Sequence, residues 1–336
     1  MFDFFKQLFN RGNNKTSDTP DPGGTLPLHE ETGIESPSQV ETDPYATAPL
    51  EAEDGPLTSS AVQVLHRPIG EGPGSPTMSV SHAQSVGMVR DHNEDTLFTV
   101  YGSFRGHETM PNYGLFVVAD GMGGHNLGER ASGVAARATV EFLTRDVLLP
   151  LMADPTSMSS LPPLQEVVEQ AIEYANRQVA IAAPNGGTTI TIGFVLHNRL
   201  IVGHVGDSRA YLMTVGDDGK SLKLRCLTRD HSLVQRLIEL GQLTEEEAAE
   251  HPQRNVLYRA VGQGDGLEID VENFLIPSGA RLMICSDGLW GLVSDEDLLA
   301  IIRTSGNSQV ACERMVAAAN AAGGHDNITV VMVDFA

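Results

Sequence analysis

Leu115-Phe116-Val117-Val118-Ala119-Asp120-Gly121-Met122-Gly123-Gly124-His125 is a short apolar run that ends abruptly in an acid, with three glycines in the next four positions. The pattern predicts a buried strand that stops at a carboxylate. A buried strand end fixes the acid in space, and the glycines let the following backbone pass close to whatever the acid holds, with carbonyl oxygens free to join in. Oxygen clusters of this kind suit hard cations. Taken alone, an Asp-Gly at a strand end equally fits a plain turn.

The pattern returns along the chain. Val202-Gly203-His204-Val205-Gly206-Asp207-Ser208 and Leu282-Met283-Ile284-Cys285-Ser286-Asp287-Gly288 repeat it, and Asp326-Asn327-Ile328-Thr329-Val330-Val331-Met332-Val333 runs it in reverse. Arg90-Asp91-His92-Asn93-Glu94-Asp95 sets three acids beside one arginine. Clustered carboxylates without partners repel one another, so a site that gathers them needs cations.

At 336 residues the chain has ample length to bury a core. A net charge of −22 argues against nucleic acid or an anionic membrane as the partner, since both repel an acidic protein at long range. Cys226, Cys285 and Cys312 lie in apolar surroundings without C-x-x-C spacing, which predicts small buried side chains and neither a disulfide framework nor a zinc site. No apolar run approaches the roughly 20 residues that cross a bilayer, and the N-terminus lacks the pattern of a signal peptide. A cytoplasmic, reducing environment is the expectation.

Residues 1–11 place Phe2, Phe4, Phe5, Leu8 and Phe9 within one half of a helical wheel, so a short amphipathic helix is expected there. From Thr16 to Gln63 there is no Lys or Arg, while Asp and Glu recur among Pro, Gly, Ser and Thr. Such a segment cannot bury enough apolar surface to offset its ordering entropy, so 12–77 reads as a disordered acidic linker. The folded region is expected over 78–336. Strands are predicted at 96–101, 115–120, 188–196, 200–205, 209–215, 222–228, 267–274, 281–286 and 328–334. Helices are predicted at 128–144, 164–181, 233–240, 245–250, 295–303 and 309–322, with loops at 105–112 and 150–163. Strand hairpins in series with helices in pairs do not alternate as βαβ units would, which points to antiparallel sheets packed together with helices outside.

The ordered set Val89-Arg90-x-x-Asn93-Glu94-Asp95, Val118-Ala119-Asp120-Gly121-Met122-Gly123-Gly124, Gly187-Thr188-Thr189, Gly206-Asp207-Ser208-Arg209, Leu227-Thr228-x-Asp230-His231-Ser232, Ser286-Asp287-Gly288-Leu289 and Asp326-Asn327 resembles the metal-dependent (type 2C, PPM) Ser/Thr protein phosphatases, and its Gly-Met-Gly-Gly wording resembles their bacterial branch. The resemblance covers about 78–336. It implies an α+β fold, a central sandwich of two antiparallel β-sheets flanked by helices on both faces, with a two-metal site at one end. It further implies that Asp120 bridges two Mn²⁺ or Mg²⁺ ions, that the Gly121 carbonyl and either Glu94 or Asp95 complete one coordination set, and that Asp287 and Asp326 hold the other. Arg90 resembles the family's phosphate-binding arginine. Asp207 matches an acid that helps hold a third, weaker metal, shared with Asp287. The segment 232–262 resembles the bacterial flap beside the active site, which would touch the protein substrate.

For the histidines, His125 is open between protonating a leaving group and serving loop polarity, whereas His231 and His325 are expected to make structural hydrogen bonds. Trp290 is expected to be a core anchor. The resemblance implies hydrolysis of phosphoserine and phosphothreonine in proteins, with a Ser/Thr kinase or a partner-switching regulator as the opposing or target protein. Two other classes fit parts of the pattern: a catalytically silent phosphoprotein-binding module, and a Ca²⁺-stabilised structural protein. The complete acid set favours the enzyme over the first, and Arg90 has no task in the second.

Overall fold

The computed structural model describes residues 76–336 apart from 106–108, 124–125 and 217–220. The expected N-terminal helix, the linker up to residue 75 and His125 lie outside the described residues. Among these, eleven strands form two antiparallel sheets. The first runs β2(Asp95–Arg105)-β3(Thr109–Met122)-β5(Ile190–Leu196)-β6(Arg199–Val205)-β9(Asp270–Leu275), with β4(Gly187–Thr188) paired to the end of β3. The second runs β1(Met78–Ser85)-β11(Ile328–Phe335)-β10(Arg281–Cys285)-β7(Arg209–Val215)-β8(Leu222–Cys226).

The residue order inside the strands explains the layering. Along β3, Phe116 and Val118 face the second sheet, where they meet Ala210, Leu282, Ile284, Val331 and Val333. Leu115 and Val117 point the other way, into a cluster with α1(Asn126–Leu143) and α3(Leu164–Ala182), through Ala131, Ala135, Leu143, Val168 and Ile172. The second sheet behaves likewise: Met283, Cys285, Val330 and Met332 face α7(Asp295–Thr304) and α8(Ser308–Ala321) through Leu298, Ile302, Cys312 and Met315. Both faces of each sheet are therefore covered, and that is why these strands read as unbroken apolar runs instead of alternating. Phe194 and Leu115 are fully buried, and such side chains each stabilise the fold by about 1.5–3 kcal/mol relative to exposure. The four layers are helix, sheet, sheet, helix.

Several local expectations are corrected. The central strand does not stop at Asp120: it continues to Met122, because Gly121 and Met122 pair with Thr188 and Gly187. The expected strand over 188–196 is split into β4 and β5 at Thr189, whose N–H leaves the ladder to donate to the Asp120 carbonyl at 2.8 Å. The expected loop at 105–112 is largely strand, since β3 starts at Thr109 and pairs back on β2. The expected loop at 150–163 is mostly helical turns, α2(Leu149–Ala153) and a 3-10 turn at Pro155–Ser160, and a π turn at Thr144–Leu148 leads into them. Prolines at the first positions of both later turns fit helix starts, and the Asp154 side chain caps the last by accepting the Thr156 N–H. A further helical turn, α6(Asp287–Trp290), follows β10 directly. Among the described residues no helix is long and apolar enough to cross a membrane.

Candidate metal centre

Each strand-end acid of the sequence arrives at the same end of the sandwich. Asp120 near the end of β3 stands opposite Asp95 at the start of β2 in the antiparallel register. Asp287 opens α6 behind β10, Asp326 precedes β11, and Asp207 sits between β6 and β7. Arg90, Glu94, Asp120, Gly121, Asp207, Asp287 and Asp326 line one pocket of about 290 Å³ together with His92, Thr189, Asn255 and Leu257. Asp95 does not line it. It lies behind, buried, with Oδ2 accepting hydrogen bonds from Ser286 Oγ at 2.8 Å and Thr329 Oγ1 at 2.6 Å.

The local sequence explains how the acids are held. Gly121 is required by close approach: a side chain there would meet the Gly128 carbonyl oxygen at 2.2 Å and the Glu94 carbonyl oxygen at 2.6 Å. Its own N–H donates to that Glu94 carbonyl at 3.2 Å, tying the Asp120 strand end to the Glu94 segment. Thr189 holds Asp120 from the other side, where its Oγ1 accepts the Asp120 N–H at 2.9 Å. Arg90 Nη2 donates to Asp326 Oδ2 at 2.7 Å, at the half-exposed rim.

Electrostatically the metal-free pocket is under load. Burial, reinforced by Asp95, Asp287, Asp207 and Asp326, pushes the Asp120 carboxyl well above the usual carboxylate range. Asp95 is pushed up to about 7 by burial, which its two hydroxyl donors only partly offset. Burial and then Asp326 push Asp287 up to about 6, and burial with Asp287 raises Asp207. Two buried oxygens, Asp95 Oδ1 and Asp287 Oδ1, have no hydrogen-bond partner. Orphaned buried carboxylate oxygens are costly unless a proton or a cation satisfies them. Among the described residues no three Asp, Glu, His or Cys side chains converge closely enough to hold an ion without adjustment. The donor set is all oxygen and suits Mg²⁺ or Mn²⁺.

Residues that the sequence reading gave no role carry much of the scaffold. Asn327 Oδ1 accepts the Glu94 N–H at 2.7 Å, while its Nδ2 donates to the carbonyls of Val86 at 2.9 Å and His92 at 3.0 Å. Trp290 packs on the core as expected, and it also donates Nε1–H to the Asp207 carbonyl at 3.0 Å. The Arg209 guanidinium lies 3.6 Å over its ring and forks onto Asp230 with bonds of 3.0 and 2.8 Å. His231 makes structural hydrogen bonds as expected. Within 232–262, α4(Leu233–Glu239) and α5(Glu245–Ala249) are capped by Ser232 and by a reciprocal Thr244–Glu247 box, and the segment returns to bring Asn255 and Leu257 to the pocket.

The family described as Protein phosphatase 2C matches residues 80–239. Serine/threonine phosphatase stp of Listeria welshimeri is 34% identical over 251 residues, covering 74% of this chain and 92% of that protein. The chain belongs to the PP2C family. Among solved structures, the Mycobacterium tuberculosis serine/threonine phosphatase PstP/Ppp superposes on this PP2C chain with a TM-score of 0.61 at 31% identity, covering 76% of this chain and 98% of that one. A structure of the PstP catalytic domain in complex with two manganese ions gives a TM-score of 0.59 at 30% identity, over 77% of this chain and 98% of that one. This PP2C chain is a protein serine/threonine phosphatase with the two-sheet fold of its relatives.

Proposed function

We propose that this phosphatase hydrolyses phosphoserine and phosphothreonine in proteins at a site for two divalent ions, Mn²⁺ or Mg²⁺. Asp120, the Gly121 carbonyl and Glu94 or Asp95 would hold one ion, and Asp287 and Asp326 with Asp120 would hold the other. The observation that carries the reading is the set of strand-end acids around one pocket, Asp287 among them with a buried Oδ1 that has no partner. When bound, paired ions lower the pKa of a shared water and neutralise phosphoryl charge during in-line attack. Glu94 lines the pocket and Asp95 does not, so direct contact falls to Glu94, and Asp95 acts from behind through Ser286 and Thr329.

Arg90 spends one donor on Asp326 and keeps the rest of its planar fork for phosphoryl oxygens. Asp207, with Asp287, would hold a third and weaker ion. Trp290, by donating Nε1–H to the Asp207 carbonyl, and Thr189, by its contact with Ser208, steady the turn that carries Asp207. The segment 232–262 contacts the protein substrate through its Asn255–Leu257 edge. Cys285 and Cys312 are buried as expected, whereas Cys226 at the end of the edge strand β8 is exposed against expectation; all three are free, which fits a reducing cytoplasmic compartment.

Hydrolysis of p-nitrophenyl phosphate and of a phosphoserine peptide, with Mn²⁺ and then with excess chelator, tests the reading. Release that needs the metal supports it. A protein that binds the phosphopeptide without releasing phosphate under any divalent ion would be a binding module instead.

A further inference from the structure

One histidine sits where the Asp207 turn and the 232–262 segment meet, and its ring hydrogen bonds tie that turn, through Gly206, to Asp270 at the start of β9. His231 and His204 are buried with ring centroids 4.9 Å apart. His231 N–H donates to the Gly206 carbonyl at 2.7 Å, and the Gly206 N–H donates back to His231 Nδ1 at 3.1 Å. The turn has no freedom elsewhere: Gly206 has a φ of +113°, and a side chain there would meet Thr189 at 2.5 Å. Past the turn, Ser208 Oγ lies 2.8 Å from Thr189 Oγ1, the atom that accepts the Asp120 N–H. On the other side, Tyr258 N–H donates to the His231 carbonyl at 2.9 Å, and Ser232 pairs with Leu257, which lines the pocket. Nε2 faces two groups, Asp270 Oδ2 at 3.2 Å and Arg259 Nη1 at 3.1 Å. With Nδ1 accepting the Gly206 N–H, the ring proton goes to Nε2 and points at Asp270, and Arg259 Nη1 is held by its donation to Asp270 Oδ1 at 3.1 Å.

We propose that the His231 ring is a positioning residue for the phosphatase reaction: by accepting the Gly206 N–H it sets the turn that presents Asp207, and its backbone fixes the adjoining Tyr258–Leu257 edge to the same point. The proposal rests on the two-metal reading and on Asp207 acting at the leaving group. Without this acceptor, the Gly206 N–H is a buried donor with no partner, and the turn moves to find one. The loss falls on substrates whose leaving oxygen needs a proton, and the metals held by Asp120, Asp287 and Asp326 are left in place.

The full chain with Mn²⁺ tests this through two variants. His231→Asn keeps an amide oxygen near the Nδ1 position, whereas His231→Gln reaches toward the Nε2 position and leaves Gly206 unpaired. Both remove the ring, so both lower the thermal midpoint alike. For the phosphoserine peptide, kcat falls about tenfold or more in His231→Gln and less than about threefold in His231→Asn. Turnover of p-nitrophenyl phosphate and tight Mn²⁺ binding change little in either. Equal losses of kcat in the two variants, or losses that follow the thermal midpoint alone, overturn the proposal. If neither variant folds, nitrogen-15 NMR of the wild-type histidines decides: a neutral ring protonated at Nε2 and coupled to the Gly206 amide supports it, and a ring protonated at Nδ1 overturns it. An inactive wild type would strike the two-metal reading itself, and the NMR result alone would then judge the ring.

Discussion

At the scale of single residues, position in the pocket assigns distinct tasks to groups of like charge. Arg90 is half-exposed and forms its ion pair with Asp326 at the rim, which fits the proposed task of orienting phosphate better than one of building the pocket. Arg90→Ala should raise KM for a phosphopeptide about tenfold or more while Mn²⁺ binding persists, and Lys should rescue only partly because it lacks the planar fork. Steady-state kinetics with both constants unchanged would remove Arg90 from substrate binding. The acids predict a pH dependence. Asp95 and Asp287 are raised to about 7 and about 6 by burial, above the value near 3.9 of an unfolded aspartate. Their contribution to metal-free stability is thus full below about pH 4 and lost as pH rises through these raised values. Added Mn²⁺ should therefore raise the thermal midpoint more at about pH 7.5 than at about pH 5; an equal shift at both would mean that the ion binds without the Asp287 carboxylate. Asp120, Asp207, Asp287 and Asp326 were legible in the sequence because an apolar run ending in an acid is a local signal. Asn327, Ser286 and Thr329 were not legible as partners: each acts on a residue roughly two hundred positions away or more, and only strand pairing brings them there.

At the scale of elements, the hairpins β5–β6 and β7–β8 could be read from two apolar runs flanking turn residues. The pairings β1–β11 and β6–β9 join distant segments and left no local mark. The helical turns over 149–160 were hidden because Pro, Ser and Met suggest a loop, whereas Pro at a first turn is also a helix start. The α6 turn was hidden behind the strand before it, yet it supplies both Asp287 and Trp290. Trp290→Phe keeps a ring under Arg209 but removes the donor to the Asp207 carbonyl. The variant should lose about 0.5–1.5 kcal/mol of stability and need a higher Mn²⁺ concentration for full turnover of a phosphopeptide. A metal titration that superposes on the wild type would show that the α6 turn does not steady Asp207.

At the scale of the whole molecule, the three apolar clusters of the described residues draw on residues from Met78 onward, and Thr77 pairs with Ala336 through bonds of 2.9 and 3.0 Å. Removal of residues 1–75 should therefore leave peptide hydrolysis nearly intact and move the thermal midpoint by no more than a few degrees, about 1 kcal/mol or less; a drop of tens of degrees would place part of the core before Met78. The two sheets exist, functionally, to bring acids from distant strand ends to one pocket, and the central claim is that those acids hold a pair of metal ions with Asp120 common to both. The direct measurement is calorimetric titration of Mn²⁺ into metal-stripped wild type and Asp120→Asn, with phosphoserine-peptide hydrolysis followed on the same samples. The account predicts two tight sites and metal-dependent release in the wild type, with most of the binding lost and activity lower by orders of magnitude in the variant, because an amide carries no charge to hold two dications. Unaltered Mn²⁺ binding in Asp120→Asn, or hydrolysis that survives excess chelator in the wild type, would contradict it.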